Sequence, residues 1–241
     1  MTTTTATSTF SSNRKLKVVL FGATGMVGQG VLRECLLDPE VEEVLAVGRS
    51  ASGQQHAKLR ELVHGDFTDF SGVASRLTGY DACFFCLGVS SAGMKESEYR
   101  HVTYDFTLAA ATVLARQNPG MTFIYVSGAG TDDSGQGRSM WARVKGETEN
   151  ALRALPFRAA YMFRPGAIQP LHGIRSKTRL YRWAYVVAAP LFPIWKRLSS
   201  DAVITTEEVG RAMIAAAKHG ADKPLLENRD IAALARPPSR G

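Results

Sequence analysis

The chain has 241 residues, 45 % of them apolar, which is enough to bury one substantial core. Its formal charge of +7 suits an anionic partner, but the basic residues are scattered except between Arg175 and Arg197. No aromatic-basic motif or recognition helix accompanies them, so nucleic acid is not an expected partner. Three cysteines are too few for a disulfide framework, and histidines at 56, 64, 101, 172 and 219 show no ligand spacing, so no metal is expected.

Residues 1–13, dominated by Thr and Ser, read as a disordered tail. They hold neither a signal-type apolar stretch nor repeated arginines, which makes the cytoplasm the expected compartment. Residues 14–241 are expected to form one domain.

Residues 16–28, LKVVLFGATGMVG, run a short apolar strand into a turn with glycines at Gly22, Gly25 and Gly28. Val18, Val19, Leu20 and Phe21 suit a strand buried on both faces, and a helix is expected from about Met26. The first amides of such a helix have no partner within it. Gly22 permits the tight turn, Gly25 lets backbone approach a pyrophosphate, and Gly28 lets helix and strand pack closely. The pattern predicts a phosphate-rich ligand.

Asp38-Pro39 helps to end that helix, and Val44 to Val47 form a second strand closing on Gly48-Arg49-Ser50. Glu61 to His64 supply a third strand, 71–77 a short helix, and Ala82 to Leu87 a fourth strand ending at Gly88. Cys83 and Cys86 lie within that apolar run, where residues three apart face opposite ways, so they read as core rather than as a redox or zinc pair. Helical periodicity returns from Val102 to Gln117. Thr122 to Val126 make a fifth strand, Arg138 to Leu155 a helix, and Ala159 to Phe163 a sixth strand before Arg164-Pro165-Gly166. The alternation predicts an α/β, doubly wound, mostly parallel sheet of order 3-2-1-4-5-6, with the cofactor across the switch between strands one and four.

The final third differs. Residues 167–204, with prolines at 170, 190 and 193, read as a substrate-side cap. Thr205 and Glu208 then form a capping box, and Val209, Ala212, Met213 and Ala216 the apolar face of a helix. Residues 237–241 are expected to fray.

In dinucleotide-binding folds an acid ending the second strand accepts from the ribose hydroxyls and repels a 2′-phosphate. Arg49 stands in that place, and its fork of donors suits phosphate, so NADP(H) is expected in preference to NAD(H). Asp66, in HGDFTD, is placed either to accept from the adenine amino group or to stabilise a turn.

Together GATGMVG, Gly48-Arg49, Gly65-Asp66-Phe67, Cys86-Leu87-Gly88, Val126-Ser127-Gly128, Val144-Lys145-Gly146 and Arg164-Pro165-Gly166 resemble the extended and atypical short-chain dehydrogenases across nearly the whole chain. VKGETENAL and LLENRDI look most like the Tat-interacting-protein-type oxidoreductases and bacterial proteins labelled NAD-dependent epimerase/dehydratase-like. The resemblance implies a Rossmann fold with the cofactor against Gly22, Thr24, Gly25, Met26, Val27, Gly28, Arg49, Asp66, Phe67, Leu87, Gly88, Lys145 and Pro165. It also implies a catalytic Ser with a Tyr and a Lys spaced Y-x-x-x-K.

Residues four apart share a helix face, so such a Tyr and Lys point together at the nicotinamide, and the ammonium lowers the phenol's pKa. Ser127 matches the serine and Lys145 the lysine, but Trp141 stands four positions before Lys145. Indole has one donor and no proton that titrates near neutrality, so Trp141 is left to stack on a ring or donate to a carbonyl. Lys145 itself is an acid only if its pKa is lowered. Tyr99, Tyr104, Tyr125 and Tyr161 have no lysine at matching spacing and read as packing residues.

The stretch from Arg175 to Leu198 is interrupted by Pro190 and Pro193 and is too short in its apolar run to span a bilayer. Basic flanks with Trp183 and Trp195 fit an interfacial lid over 183–195 at an anionic membrane surface; the alternatives are a cap packed on the core and a homodimer contact. Two readings of function follow. One is an NADP(H)-dependent oxidoreductase or epimerase acting on a small carbonyl or alcohol; the other is a catalytically silent NADP(H)-binding regulator.

Overall fold

The computed structural model describes residues 14–174 and 203–236. The amino-terminal tail, the proposed lid at 183–195 with most of the cap around it, and residues 237–241 lie outside the described residues. In chain order the first half comprises β1 (Leu16–Phe21), α1 (Met26–Leu37), β2 (Val41–Gly48), β3 (Leu59–Val63), a 3-10 turn (Ser71–Leu77) and β4 (Ala82–Phe85). Then come α2 (Glu96–Arg100), a π-helical turn (His101–Asp105), α3 (Phe106–Gln117), β5 (Thr122–Val126), α4 (Met140–Arg153) and β6 (Ala159–Arg164). The last part holds β7 (Ala167–Gln169), β8 (Val203–Thr205), α5 (Thr206–His219), β9 (Leu225–Glu227) and α6 (Asn228–Leu234).

Seven strands pair in the order β3-β2-β1-β4-β5-β6-β9, every pair parallel. The first six follow the order expected from the alternation of elements. β9 extends the sheet at the β6 edge, an addition the sequence pattern did not signal, because three residues after Pro224 offer no alternation to read. β7 and β8 form a separate parallel pair that brings the two ends of the 167–204 stretch together.

Parallel strands covered on both faces must be apolar throughout. Val18, Val19, Leu20 and Phe21 are each fully buried, Val18 and Leu20 toward the core that includes α1 and α5, Val19 and Phe21 toward the opposite one. The second core is rich in aromatics: Phe21 stacks on Phe85 at 5.0 Å and meets Phe70 edge-on at 5.9 Å. Burying each such ring contributes about 1.5–3 kcal/mol. Cys83 joins this aromatic core while Cys86 packs against the other, the opposite-face arrangement expected of them.

On the far side, α1 and α5 approach closely enough that glycines are obligatory. A Cβ on Gly30 would lie 2.5 Å from Thr206 Cβ, and one on Gly210 would lie 2.7 Å from Glu34 Cγ. Thr205 caps α5, accepting from the Glu208 amide at 3.0 Å while Glu208 reaches back to the Thr205 amide at 2.8 Å. Several boundaries differ from the sequence reading: β2 and β3 span 41–48 and 59–63 rather than 44–47 and 61–64, the helix expected over 102–117 is divided between the π-helical turn and α3, α4 ends at Arg153, and β6 runs on to Arg164. Two further differences have a visible cause. β4 ends at Phe85 rather than Leu87, because Cys86 and Leu87 pass across the Gly22 turn, and α4 starts at Met140 after an extended Ser139.

Candidate functional site

At the carboxyl end of β1 the backbone turns at Gly22 with φ of 81°. A Cβ there would also meet the Cys86 carbonyl and the Leu87 nitrogen at 2.7 Å, so β4 and the turn fit only around a glycine. A Cβ on Gly28 would lie 2.0 Å from the Gly22 oxygen, so this glycine sets how closely helix approaches strand, as expected. Gly25 is different. Its Cβ would come 3.3 Å from the Gly22 oxygen, a tight contact that needs only a few tenths of an ångström of give.

Gly25 is the N-cap of α1, with no side-chain cap and no acid in the first turn. The amides of Met26, Val27 and Gly28 therefore keep their positive end of the helix dipole uncompensated by side chains, which is how a helix receives an anion. The turn that carries them lines a cleft of about 410 Å³. Among the expected residues, Gly22, Thr24, Gly25, Met26, Arg49, Phe67, Leu87 and Gly88 line it. Val27 and Gly28 stand behind that wall, on the first turn of α1. The glycine cradle and the volume, within the usual range of small-molecule sites, fit a dinucleotide.

Asp66 does not line the cleft. Its Oδ1 accepts from the Thr68 amide at 2.8 Å and from the Thr68 hydroxyl at 2.5 Å, bonds that hold the carboxyl below its ordinary range. These bonds show Asp66 in the turn-stabilising role of the two considered, with Oδ2 of this exposed residue outside both of them. The carboxylate that does reach the wall is Glu61, which the sequence reading treated only as the start of a strand. Glu61 Oε1 accepts from the Ser52 amide at 2.5 Å. Its signal was the partial burial of an acid beside Leu59 and Leu62 on an edge strand, visible only once the register with β2 is known.

Further along the carboxyl edge, beyond β4, Ser127 follows β5 and its amide donates to the Phe163 oxygen at 2.8 Å. The Ser127 hydroxyl donates to Glu149 Oε1 at 2.5 Å, and the Lys145 ammonium donates to the Ser127 carbonyl. Lys145 and Glu149 lie four apart on α4 and so reach the same strand end. Glu149 is fully buried and is held by Arg164, whose Nε lies 3.0 and 3.1 Å from its two oxygens. Arg164 in turn pairs with Asp133 at 3.5 Å.

The hydroxyl of Ser127 is therefore directed inward, at a buried ion pair that the sequence reading did not find. Its signal was the Lys145/Glu149 spacing in VKGETE together with Arg164 at the end of β6. Burial draws the Lys145 ammonium down from 10.5 to about 8, against the upward pull of Glu149. Pro165 lies beside this cluster rather than on the cleft wall, its carbonyl accepting from the Ala129 amide at 2.9 Å.

Trp141 lies with its benzo ring against the loop after β5: a Cβ on Gly130 would be 3.7 Å from Cη2, and one on Gly128 4.0 Å from Cζ3. Both glycines have positive φ, and both leave space that the indole covers. The tyrosines have other occupations. Burial raises the Tyr125 phenol far above its ordinary value, Tyr161 Oη accepts from the Ala221 amide at 3.0 Å, Tyr104 lies under the Arg100 guanidinium at 4.1 Å, and Tyr99 is buried.

Residues 22–161, from the glycine turn into β6, match the family described as NAD(P)H-binding. The Emericella nidulans mitochondrial protein fmp52 is 31 % identical over 169 residues, covering 67 % of this chain and 70 % of that one. Aspergillus terreus fmp52-1, also named mitochondrial, is 32 % identical over 172 residues, covering 67 % and 69 %. Among solved structures, Bordetella bronchiseptica WbmF in complex with NAD+ superposes with a TM-score of 0.64 at 20 % identity, covering 93 % of this chain and 78 % of that one. Candida albicans Gre2 in complex with NADPH gives 0.67 at 14 %, covering 88 % and 78 %. These two likenesses concern the fold.

The names of the fmp52 relatives correct the cytoplasmic expectation, which rested on the composition of thirteen residues, too little chain to speak for the compartment. The broader likenesses include a complex with NAD+ and one with NADPH, so fold alone does not choose between the dinucleotides. With its Rossmann sheet, glycine cradle and fmp52 relatives, this chain belongs to the NAD(P)H-binding family.

Proposed function

We propose that this chain is an oxidoreductase or epimerase-like enzyme that prefers NADP(H) and acts on a small carbonyl or alcohol. The observation that carries the cofactor preference is Arg49, exposed on the cleft wall at the end of β2 and paired with no carboxylate among the described residues. A guanidinium there offers two parallel donors to a 2′-phosphate, while the α1 amides receive the pyrophosphate. A bound nicotinamide dinucleotide supplies hydride-transfer chemistry. The chain's own part is to hold that ligand along the strand ends and to present Lys145 beside them.

Of Ser127, Trp141 and Lys145, only Lys145 has a group that titrates near neutral pH, and its Nζ is held by the Ser127 carbonyl. Ser127, with its hydroxyl on Glu149, serves to seat that carbonyl. Trp141 lies over Gly128 and Gly130 in the loop after β5. The mitochondrial names of the relatives support a mitochondrial place for the chain, testable by fractionation.

Titration of purified protein with NADPH and NADH tests the preference: Arg49→Ala is expected to weaken NADPH about tenfold or more and to leave NADH within about twofold. Equal losses would remove Arg49 from the argument. The second reading, an NADP(H)-binding regulator without turnover, is favoured by one observation, the indole of Trp141 in the place of a phenol. Tight NADPH binding with no oxidation across a broad carbonyl panel would select it.

A further inference from the structure

The cleft wall holds one cation and one anion among its described residues, Arg49 and Glu61, and neither side chain is in an ion pair with another described residue. Glu61 lies on β3 in register with Ala46 of β2, which is itself part of the wall. It shares its sheet face with Leu59, whose side chain joins the core on the α1 side. The carboxylate is thereby carried to the same side of the sheet as the phosphate-binding turn, one strand beyond Arg49. The Ser52 amide takes Oε1 and so holds the group in place, and Oε2 has no hydrogen-bond partner among the described residues. The ribose-reading acid usual at the end of the second strand is absent here, and a carboxylate is present next door.

We infer that Glu61 is a specificity-determining residue that accepts from the hydroxyls of an unphosphorylated adenosine ribose and repels a 2′-phosphate, so that the site takes NAD(H) as well as NADP(H). This rests on the reading of Arg49 as the phosphate contact, and it makes the preference a balance of two opposed charges. Arg49 supplies donors to phosphate; Glu61 supplies an acceptor to hydroxyl. Each penalises the other's ligand, by charge in one case and by an unmet donor set in the other.

The test is the affinity for NADPH and for NADH of the full chain, by calorimetry at low and high salt, in the parent, Glu61→Gln and Arg49→Ala. Glutamine keeps an amide oxygen for the Ser52 N–H and removes only the charge. The parent is expected to bind both dinucleotides within about tenfold of each other. Glu61→Gln is expected to tighten NADPH and weaken NADH, widening their ratio about tenfold, with the NADPH gain shrinking at high salt because it is a charge effect.

A Glu61→Gln protein that changes both affinities by one common factor, or neither, overturns the inference even if Arg49→Ala selectively loses NADPH. A widened ratio with an inert Arg49→Ala leaves Glu61 in its role and removes the Arg49 reading instead. Failure of the parent to bind either dinucleotide overturns both. If Glu61→Gln does not fold, Glu61→Asp, which withdraws the charge by one methylene, must shift the ratio in the same direction by a smaller factor; no shift is again a refutation.

Discussion

Gly25 and Gly28 belong to one motif yet answer to different constraints, and alanine at each should separate binding from stability. At Gly28 the new Cβ would lie 2.0 Å from the Gly22 oxygen, 2.6 Å from the Gly22 carbon and 3.1 Å from Ala23 Cα, all backbone atoms that no rotamer change can move. Close carbon–oxygen contacts settle at about 3.3–3.6 Å. The start of α1 must therefore retreat from β1 by about 1 Å, an overpacking that costs about 1–3 kcal/mol. For a chain of this size each kcal/mol lowers the melting temperature by about 2–4 °C, so Gly28→Ala should melt roughly 2–12 °C lower. At Gly25 the nearest atom would be 3.3 Å away and the backbone already has φ of −80°. Alanine there loses a better N-cap, about 0.5–1 kcal/mol, and asks the Gly22 carbonyl to give by a few tenths of an ångström, but its methyl is expected to meet the ligand's phosphates. Scanning calorimetry with NADPH titration checks both: Gly25→Ala should lose tenfold or more in affinity with a small thermal change. Dinucleotide affinity unchanged in Gly25→Ala, or a Gly28→Ala protein as stable as its parent, would refute the division of roles.

Three further outcomes follow from the strand-end cluster. Glu149→Ala leaves the largely covered Arg164 with only Asp133 at 3.5 Å, which should cost about 3 kcal/mol, the low end for a broken buried pair, and be read as an earlier urea midpoint; an unshifted midpoint would show the pair to be energetically neutral. Lys145 bears a pKa lowered from 10.5 to about 8, so between those values the unfolded chain holds more protons than the folded one and stability rises with pH across that window. Lys145→Met should lack that rise when urea curves at pH 7.5 and pH 10 are compared, and a parallel rise in both proteins would place its origin elsewhere. Trp141→Tyr restores a phenol four residues before Lys145; under the enzyme reading it should raise NADPH-dependent carbonyl reduction at least tenfold over Trp141→Phe, and equal rates would show that the lysine and tyrosine do not act together at this strand end.

Much of the architecture could be read in the chain because it depends on local chemistry. A strand buried on both faces announces itself by an unbroken apolar run, a helix start by Thr205 and Glu208, and a phosphate turn by glycines at fixed offsets between strand and helix. The order of the first six strands followed from their alternation with helices. β9 did not follow, since three residues pair with β6 only because the sheet edge is there to receive them.

The residues of the site divide along the same line. Arg49, Gly25 and Met26 reach the cleft because they adjoin the ends of β2 and β1, a placement set within a few residues of sequence. Glu61, the inward hydroxyl of Ser127 and the Glu149–Arg164 pair are decided by partners 9 to 22 positions away in the chain. The glycine turn and the replacement of tyrosine by Trp141 were determined by sequence alone. The direction of the Ser127 proton, the charge that shares the cleft wall with Arg49 and the lowered pKa of Lys145 belong to the tertiary structure. Each depends on which strand ends and helix turns are brought side by side, and on how much water is left between them.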